Sequence, residues 1–154
     1  YVLFFIDSSG GLFSTFQTYM SAIQMFKPKD FLFVGYVAGQ CSSAACDLLQ
    51  YMDWRVAHAH ATLLIHYGTS KLTNWDQAML QQNAAEALPY ERSRNAVFLE
   101  MYRKRSGNKL TTADIHRISM TDTLFTAQQA LAWGVIDEIV ETLPAQSVRP
   151  DYAL

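Results

Sequence analysis

The chain opens on an unbroken apolar run, Val2 to Ile6, closed by Asp7. Such a run fits a strand buried on both faces, as in parallel sheets. Ser8-Ser9-Gly10-Gly11 follows and predicts a tight turn with exposed backbone. Beyond it the period changes. Leu12, Phe13, Phe16, Tyr19, Met20, Ile23 and Phe26 recur at helical spacing, so a helix is expected from Leu12 to Met25. Lys27-Pro28-Lys29-Asp30 ends it. A second apolar strand is expected over Phe31 to Ala38. A second exposed turn, Gly39-Gln40-Cys41-Ser42, and a short helix from Ser43 to Gln50 come after it.

Arg55 to His66 reads as two short strand pieces, the second ending Leu63-Leu64-Ile65-His66. Tyr67 to Asn74 is polar loop. Trp75 to Ser106 is the longest helical stretch, interrupted by Pro89 and closed by Gly107-Asn108. Thr112 to Met120 predicts a helix capped by Thr111 or Thr112. The segment from Thr126 to Gly134 predicts a capped helix with a terminal glycine, and Val135 to Val140 a last strand. Strands alternating with helices give an α/β fold with a mostly parallel sheet. Ligand sites in such sheets lie beyond the carboxyl ends of strands. Both glycine-containing turns fall at such ends, and so does His66.

The length, 154 residues, suits one domain with a single core. Half the residues are apolar and 17% are charged, which excludes a disordered chain. The formal net charge is −2, so no broad basic surface for nucleic acid is expected. No apolar run approaches the roughly 18 residues of a membrane span. Cys41 and Cys46 fit neither a disulfide framework nor a zinc pattern, and a reducing compartment is the simplest expectation. The first residues lack the basic leader and cleavage site of a signal peptide. They also lack an initiator Met and open inside a strand, so a missing N-terminal segment is expected.

Ser43 stands where a strand and glycine turn lead into a helix of small residues. A serine there meets free backbone N–H groups and a favourable dipole for developing negative charge. That suits a nucleophile with an oxyanion hole. Capping of the helix by Ser42 or Ser43 is the plainer alternative. His66 could reach the same sheet edge as a base, or simply be a core histidine. His58 and His60 alternate with alanines and could share a face, but no third metal ligand is evident. His116 lies on a polar helix and is expected in solvent. Asp122, between a helix and a short strand, could orient a histidine or serve as a turn residue.

Taken together, four motifs are specific. They are Ser8-Ser9-Gly10-Gly11, Gly39-Gln40-Cys41-Ser42-Ser43-Ala44-Ala45, Leu64-Ile65-His66, and the run from Asp122-Thr123-Leu124-Phe125 to Gly134-Val135-Ile136-Asp137. In this order the set resembles the ClpP family, the proteolytic subunits of Clp proteases, from Tyr1 to about Val140. The resemblance implies a ClpP/crotonase-like core of repeated β-β-α units with a protruding long handle helix, Trp75 to Ser106. It implies a peptidase domain over 1–142 and a C-terminal tail over 143–154. It makes Ser43 the nucleophile, His66 the base and Asp122 the orienting acid. The backbone N–H groups of Gly11 and Ala44 would be oxyanion donors, and Leu12 and Phe13 would lie beside bound peptide.

The family's subunits form rings of seven, often stacked in pairs, and a partner AAA+ ATPase feeds unfolded chains into the chamber. By resemblance the expectations are therefore a serine endopeptidase without cofactor or metal, a homo-oligomeric ring, and a cytoplasmic, organellar or virus-encoded setting. Alternatives in the same fold are an inactive ring subunit and a phage capsid-processing protease. The chain departs from the family pattern at several points. Ser9 replaces a proline, Cys41-Ser42 two alanines, Tyr67-Gly68 a Gln-Pro pair, and Thr69 to Asn74 a glycine-rich handle strand. Thr123 stands where the family commonly carries an arginine used in ring stacking.

Overall fold

In the computed structural model, the described residues are 1–27, 30–67 and 95–141, without the Phe13 side chain. The elements run β1 (Val2–Ser8), α1 (Phe13–Phe26), β2 (Phe33–Ser42), α2 (Ala44–Leu49), β3 (Trp54–His58) and β4 (Thr62–Leu64). A helical segment over 95–105, α3, follows. Then come α4 (Thr112–Ser119), β5 (Phe125–Thr126), α5 (Ala127–Trp133) and β6 (Glu138–Val140).

The long strand β2 organises the sheet. β1 pairs with it in parallel from Val2↔Phe33 onward. β3 and then β4 pair in parallel along it, at Val34–Val37 and at Gln40–Ser42. β6 joins β3 in parallel, and β5 joins β4 antiparallel, so the sheet is mixed. The core gathers Ile23, Val37, Leu49, Met52, Leu63, Ile115, Phe125 and Ile136 between the sheet and its helices. A smaller cluster, Val34, Tyr36 and Val56, lies apart from it.

One expectation is corrected. Gly39-Gln40-Cys41-Ser42 is not an exposed turn but the end of β2, with Cys41 and Ser42 buried. The reason is pairing: Cys41 faces Ser8 of β1 and Leu63 of β4, so its backbone groups find partners on both edges. The remaining boundaries move by a few residues. Of the expected long helix, residues 75–94 lie outside the described residues, as do most of the Tyr67–Asn74 loop and the tail over 143–154. Among the described residues no helix is long and apolar enough to cross a membrane.

Local chemistry fixes the segments around the sheet's carboxyl edge. Thr111 and Thr126 each close a capping box, with Asp114 and Gln129. Gly134 ends α5 at φ 73, where a Cβ would press into the Ser106 carbonyl. Behind α2, buried Arg55 donates to Asp137 through its backbone N–H, Nε and Nη2, and to Gln50 Oε1 through Nη1. Gln50 in turn donates to the Cys46 and Val135 carbonyls. This network ties α2 to β3 and β6. Replacing Arg55 with alanine removes a buried side chain and its hydrogen bonds to Asp137 and Gln50 and should cost about 1–3 kcal/mol of stability, read by urea unfolding.

Candidate active site

Ser43 sits at the junction of β2 and α2. Its N–H donates to the Leu64 carbonyl at 2.9 Å, carrying the β2–β4 ladder one step past Ser42. Its carbonyl accepts from the N–H groups of Cys46 and Asp47 at 2.8 and 3.1 Å, so α2 begins there. The strand and the helix impose incompatible directions on one residue, and Ser43 absorbs the turn at φ 57, ψ −132. Such backbone typically costs about 1–3 kcal/mol and persists only where surrounding structure enforces it. The side chain makes no capping hydrogen bond. The plainer alternative of a helix cap is therefore not what this hydroxyl does. Ser42 is buried and its Oγ accepts from Gln40 Nε2 at 2.9 Å.

His66 lies two residues beyond β4. Its Nε2 is 2.7 Å from Ser43 Oγ, and its Nδ1 is 2.8 Å from Asp122 Oδ1. A carboxylate oxygen only accepts, so Nδ1 carries the hydrogen and Nε2 is left to accept from the Ser43 hydroxyl. Residues separated by 23 and 56 positions thus form one line of hydrogen bonds. The His66 side chain is 19% exposed and that of Asp122 70%. Asp122 also takes a positive φ, 45, in the turn between α4 and β5. The Tyr67 hydroxyl, next in sequence to His66, bonds His116 Nδ1 on α4 at 2.7 Å. That contact braces the His66 segment against the helix that leads to Asp122. His116 is exposed, as the sequence suggested, and also bonds Tyr67.

The Gly10–Gly11 turn is delivered to the same place by a bulge. The β1–β2 register shifts between Ile6 and Ser8, and Asp7 Oδ1 accepts from the Gln40 N–H at 2.9 Å. Gly10 takes φ +102, and a Cβ there would lie 2.7 Å from Ser43 Cβ and 2.8 Å from the Ser42 carbonyl oxygen. Only glycine lets the two backbones approach this closely. At Gly11 a Cβ would meet only Phe16, at an ordinary 3.6 Å. Leu12 follows as the residue before α1, with its side chain exposed, while the Phe13 side chain lies outside the described part. Gly10→Ala should displace Ser43. A shift of about 1 Å at such a site typically loses on the order of a hundredfold in rate. The rate of active-serine labelling in that variant measures it.

His58 and His60 stand apart from this line, with rings 5.4 Å apart and His58 Nε2 beside the Glu141 carbonyl. Among the described residues, no cluster of three His, Cys, Asp or Glu is placed to hold a metal ion. Sequence reasoning missed Asp47, the one acid in the otherwise small and apolar α2. Its carboxyl accepts from the buried Tyr102 hydroxyl at 2.8 Å. Burial pushes this carboxyl up to about 6, against the downward pull of the Tyr102 hydrogen bond and of the His66 charge. An acid flanked on both sides by buried helix residues was the available signal.

Comparison with known proteins agrees with this architecture. No curated protein matches the chain. Among solved structures, the crystal structure of the ClpP protease catalytic domain from Plasmodium falciparum superposes with a TM-score of 0.65. The identity is 19%, and the match covers 93% of this chain and 70% of that one. At such identity the likeness establishes the fold. The family model for Clp protease matches residues 1–143, nearly the whole sequence. The chain belongs to the Clp protease family, a family of peptide-bond hydrolases.

Proposed function

We propose that this chain is a serine endopeptidase in which Ser43, His66 and Asp122 act as a triad. The observation that carries the reading is the unbroken line from Ser43 Oγ through His66 to Asp122, at 2.7 and 2.8 Å. Ser43 Oγ attacks the scissile carbonyl carbon while its proton passes to His66 Nε2. The oxygen turns anionic and is met by the N–H groups of Ala44, the first residue of α2, and of Gly11. Collapse breaks the C–N bond, and His66 returns the proton to the leaving amine. Water then attacks the acyl-enzyme along the same path, again with His66 as base. Asp122 holds the imidazole in the tautomer this requires and balances the imidazolium.

Leu12 and Phe13 would lie beside the bound peptide at the start of α1, where the Leu12 carbonyl is already taken by the Thr15 and Phe16 N–H groups, so the peptide would meet the backbone of the glycine turn before them. Contact with backbone reads little sequence and suits broad cleavage of unfolded chains. No metal or cofactor has a part in this chemistry. A homo-oligomeric ring, heptameric as in the family, is the proposed assembly, with an AAA+ ATPase as the proposed feeder and the cytoplasm, or an equivalent reducing compartment, as its place. Large apolar side chains exposed on the chain, among them Phe5, Leu12, Met25, Val97 and Leu124, are available to contacts between subunits.

The test is labelling of the purified protein with a fluorophosphonate probe, with the modified peptide located by mass spectrometry. The expected result is a single adduct on Ser43, absent from Ser43→Ala. An adduct on Ser42 would reassign the nucleophile. An unlabelled protein that forms rings would instead be an inactive ring subunit.

A further inference from the structure

Tyr67 stands beside His66 in sequence but reaches a different partner. Its hydroxyl lies 2.7 Å from His116 Nδ1 on α4, and the two rings pack with centroids 5.6 Å apart. Phe98 of α3 packs against the same Tyr67 ring at 5.3 Å, centroid to centroid. Phe98 in turn meets Tyr102 at 5.0 Å, and buried Tyr102 donates to Asp47 of α2 at 2.8 Å. The Tyr67 ring is thus held from α3, and the hydroxyl it carries is a fixed point. A phenol oxygen can donate or accept, so the bond to Nδ1 holds in either tautomer of His116.

A short hydrogen-bonded path links His116 to Asp122. The Met120 N–H donates to the His116 carbonyl at 3.1 Å. The Thr121 N–H and Oγ1 both donate to the Ile118 carbonyl, at 3.2 and 2.8 Å, and Asp122 follows at φ 45. The end of α4 therefore carries Asp122 with it. Two adjacent side chains, His66 and Tyr67, bond this one stretch at two points, Asp122 and His116. The first bond needs the second. Asp122 is 70% exposed, so water competes for its carboxylate. One hydrogen bond between two segments lets them pivot about it, whereas two fix both separation and angle. The triad needs the angle, because Nε2 must also stay within reach of Ser43 Oγ.

We propose that Tyr67 and His116 are a positioning pair, a latch between the His66 segment and α4 that holds His66 in line with Asp122 and so keeps Nε2 on Ser43. This rests on the serine peptidase reading. Neither residue takes or gives a proton in the reaction; both act through the bond from His66 to Asp122. Tyr67 is also one of the positions at which this chain departs from the family pattern.

The experiment measures kcat, KM, the fluorophosphonate labelling rate and the melting temperature of the assembled protein. The variants are Tyr67→Phe, His116→Leu, His116→Asn and the double variant Tyr67→Phe/His116→Leu. Phenylalanine keeps the ring and loses only the hydroxyl. Tyr67→Phe and His116→Leu should each lower kcat and the labelling rate about tenfold, with KM and melting temperature little changed. The double variant should lose no more than either single one, as befits partners in one contact. His116→Asn, whose side-chain oxygen can stand where Nδ1 stood, should recover most of the loss. In an Asp122→Asn background, Tyr67→Phe should cost less than about twofold, since the carboxylate bond it steadies is already gone. Wild-type kcat in Tyr67→Phe overturns the inference. So do single losses that multiply in the double variant, and a His116→Asn variant as poor as His116→Leu. A tenfold loss that persists in the Asp122→Asn background also overturns it, and marks a general role in folding or substrate contact. Should Tyr67→Phe not fold, wild-type kcat in His116→Leu, a change at an exposed position, overturns it. Failure of the peptidase reading is distinguishable, because wild type itself would then carry no adduct on Ser43.

Discussion

Peptide hydrolysis is expected to fall about a million-fold when Ser43 is replaced by alanine, with fold and assembly unchanged. Alanine removes the hydroxyl that attacks the carbonyl carbon. It leaves His66 without a proton to take and Asp122 without an imidazolium to balance. Members of such a unit are not additive, so further change at His66 should add little to the loss. The residual rate over water, about a thousandfold, is what the oxyanion donors and binding supply alone. The fold should tolerate the change because the strained φ of 57 is enforced by the backbone. The Leu64 carbonyl and the first turn of α2 hold it, and neither contact involves the hydroxyl. Single-turnover assays on a fluorogenic peptide, with light scattering for assembly, measure both halves. Activity that survives in Ser43→Ala would move the nucleophile elsewhere.

Asp122→Asn is expected to lower turnover by about a thousand- to ten-thousand-fold with KM little changed. The carboxylate accepts from Nδ1 at 2.8 Å and so keeps Nε2 free to accept from Ser43. An amide can present its NH2 to Nδ1 instead. The imidazole then carries its hydrogen on Nε2, pointing at Ser43, and cannot act as base. This argument is about tautomer, so the 70% exposure of Asp122 weakens the electrostatic part of the effect but not the orienting part. A steady-state comparison with wild type decides it. If turnover stayed within tenfold, the orienting group would lie elsewhere.

Ser43 had a suggestive local pattern, an apolar strand, a glycine and a helix of small residues, but one that a helix cap explained as well. His66 and Asp122 likewise sat in segments with plainer explanations, and only the order of all three along the chain, matched to a family pattern, made them members of one site. The Gly39–Ser42 segment was misread because glycine and serine signal a turn locally, whereas pairing with β1 and β4 holds it extended. Asp47 was passed over for a related reason. An acid in a short helix reads as a solvent-facing residue until Tyr102, 55 positions away, is seen to bond it. His116 stays exposed as expected, and its partner Tyr67 is added only by the fold.

Features that depend on near neighbours in the chain were legible before the fold was known. Strand and helix alternation, the capping boxes at Thr111 and Thr126, the glycine end of α5, and the strand-to-helix corner at Ser43 all rest on interactions a few residues long. Tertiary structure decided everything that needs two distant segments at hydrogen-bond range. It set the 2.7 and 2.8 Å spacings through His66, the pressing of Gly10 against Ser43, and the hydrogen bond from Tyr102 to Asp47. The physical reason is range. Backbone propensity and capping act within a turn or two of the residue that carries them. Hydrogen bonds and desolvation between remote side chains exist only once the sheet has closed and brought its carboxyl edge together.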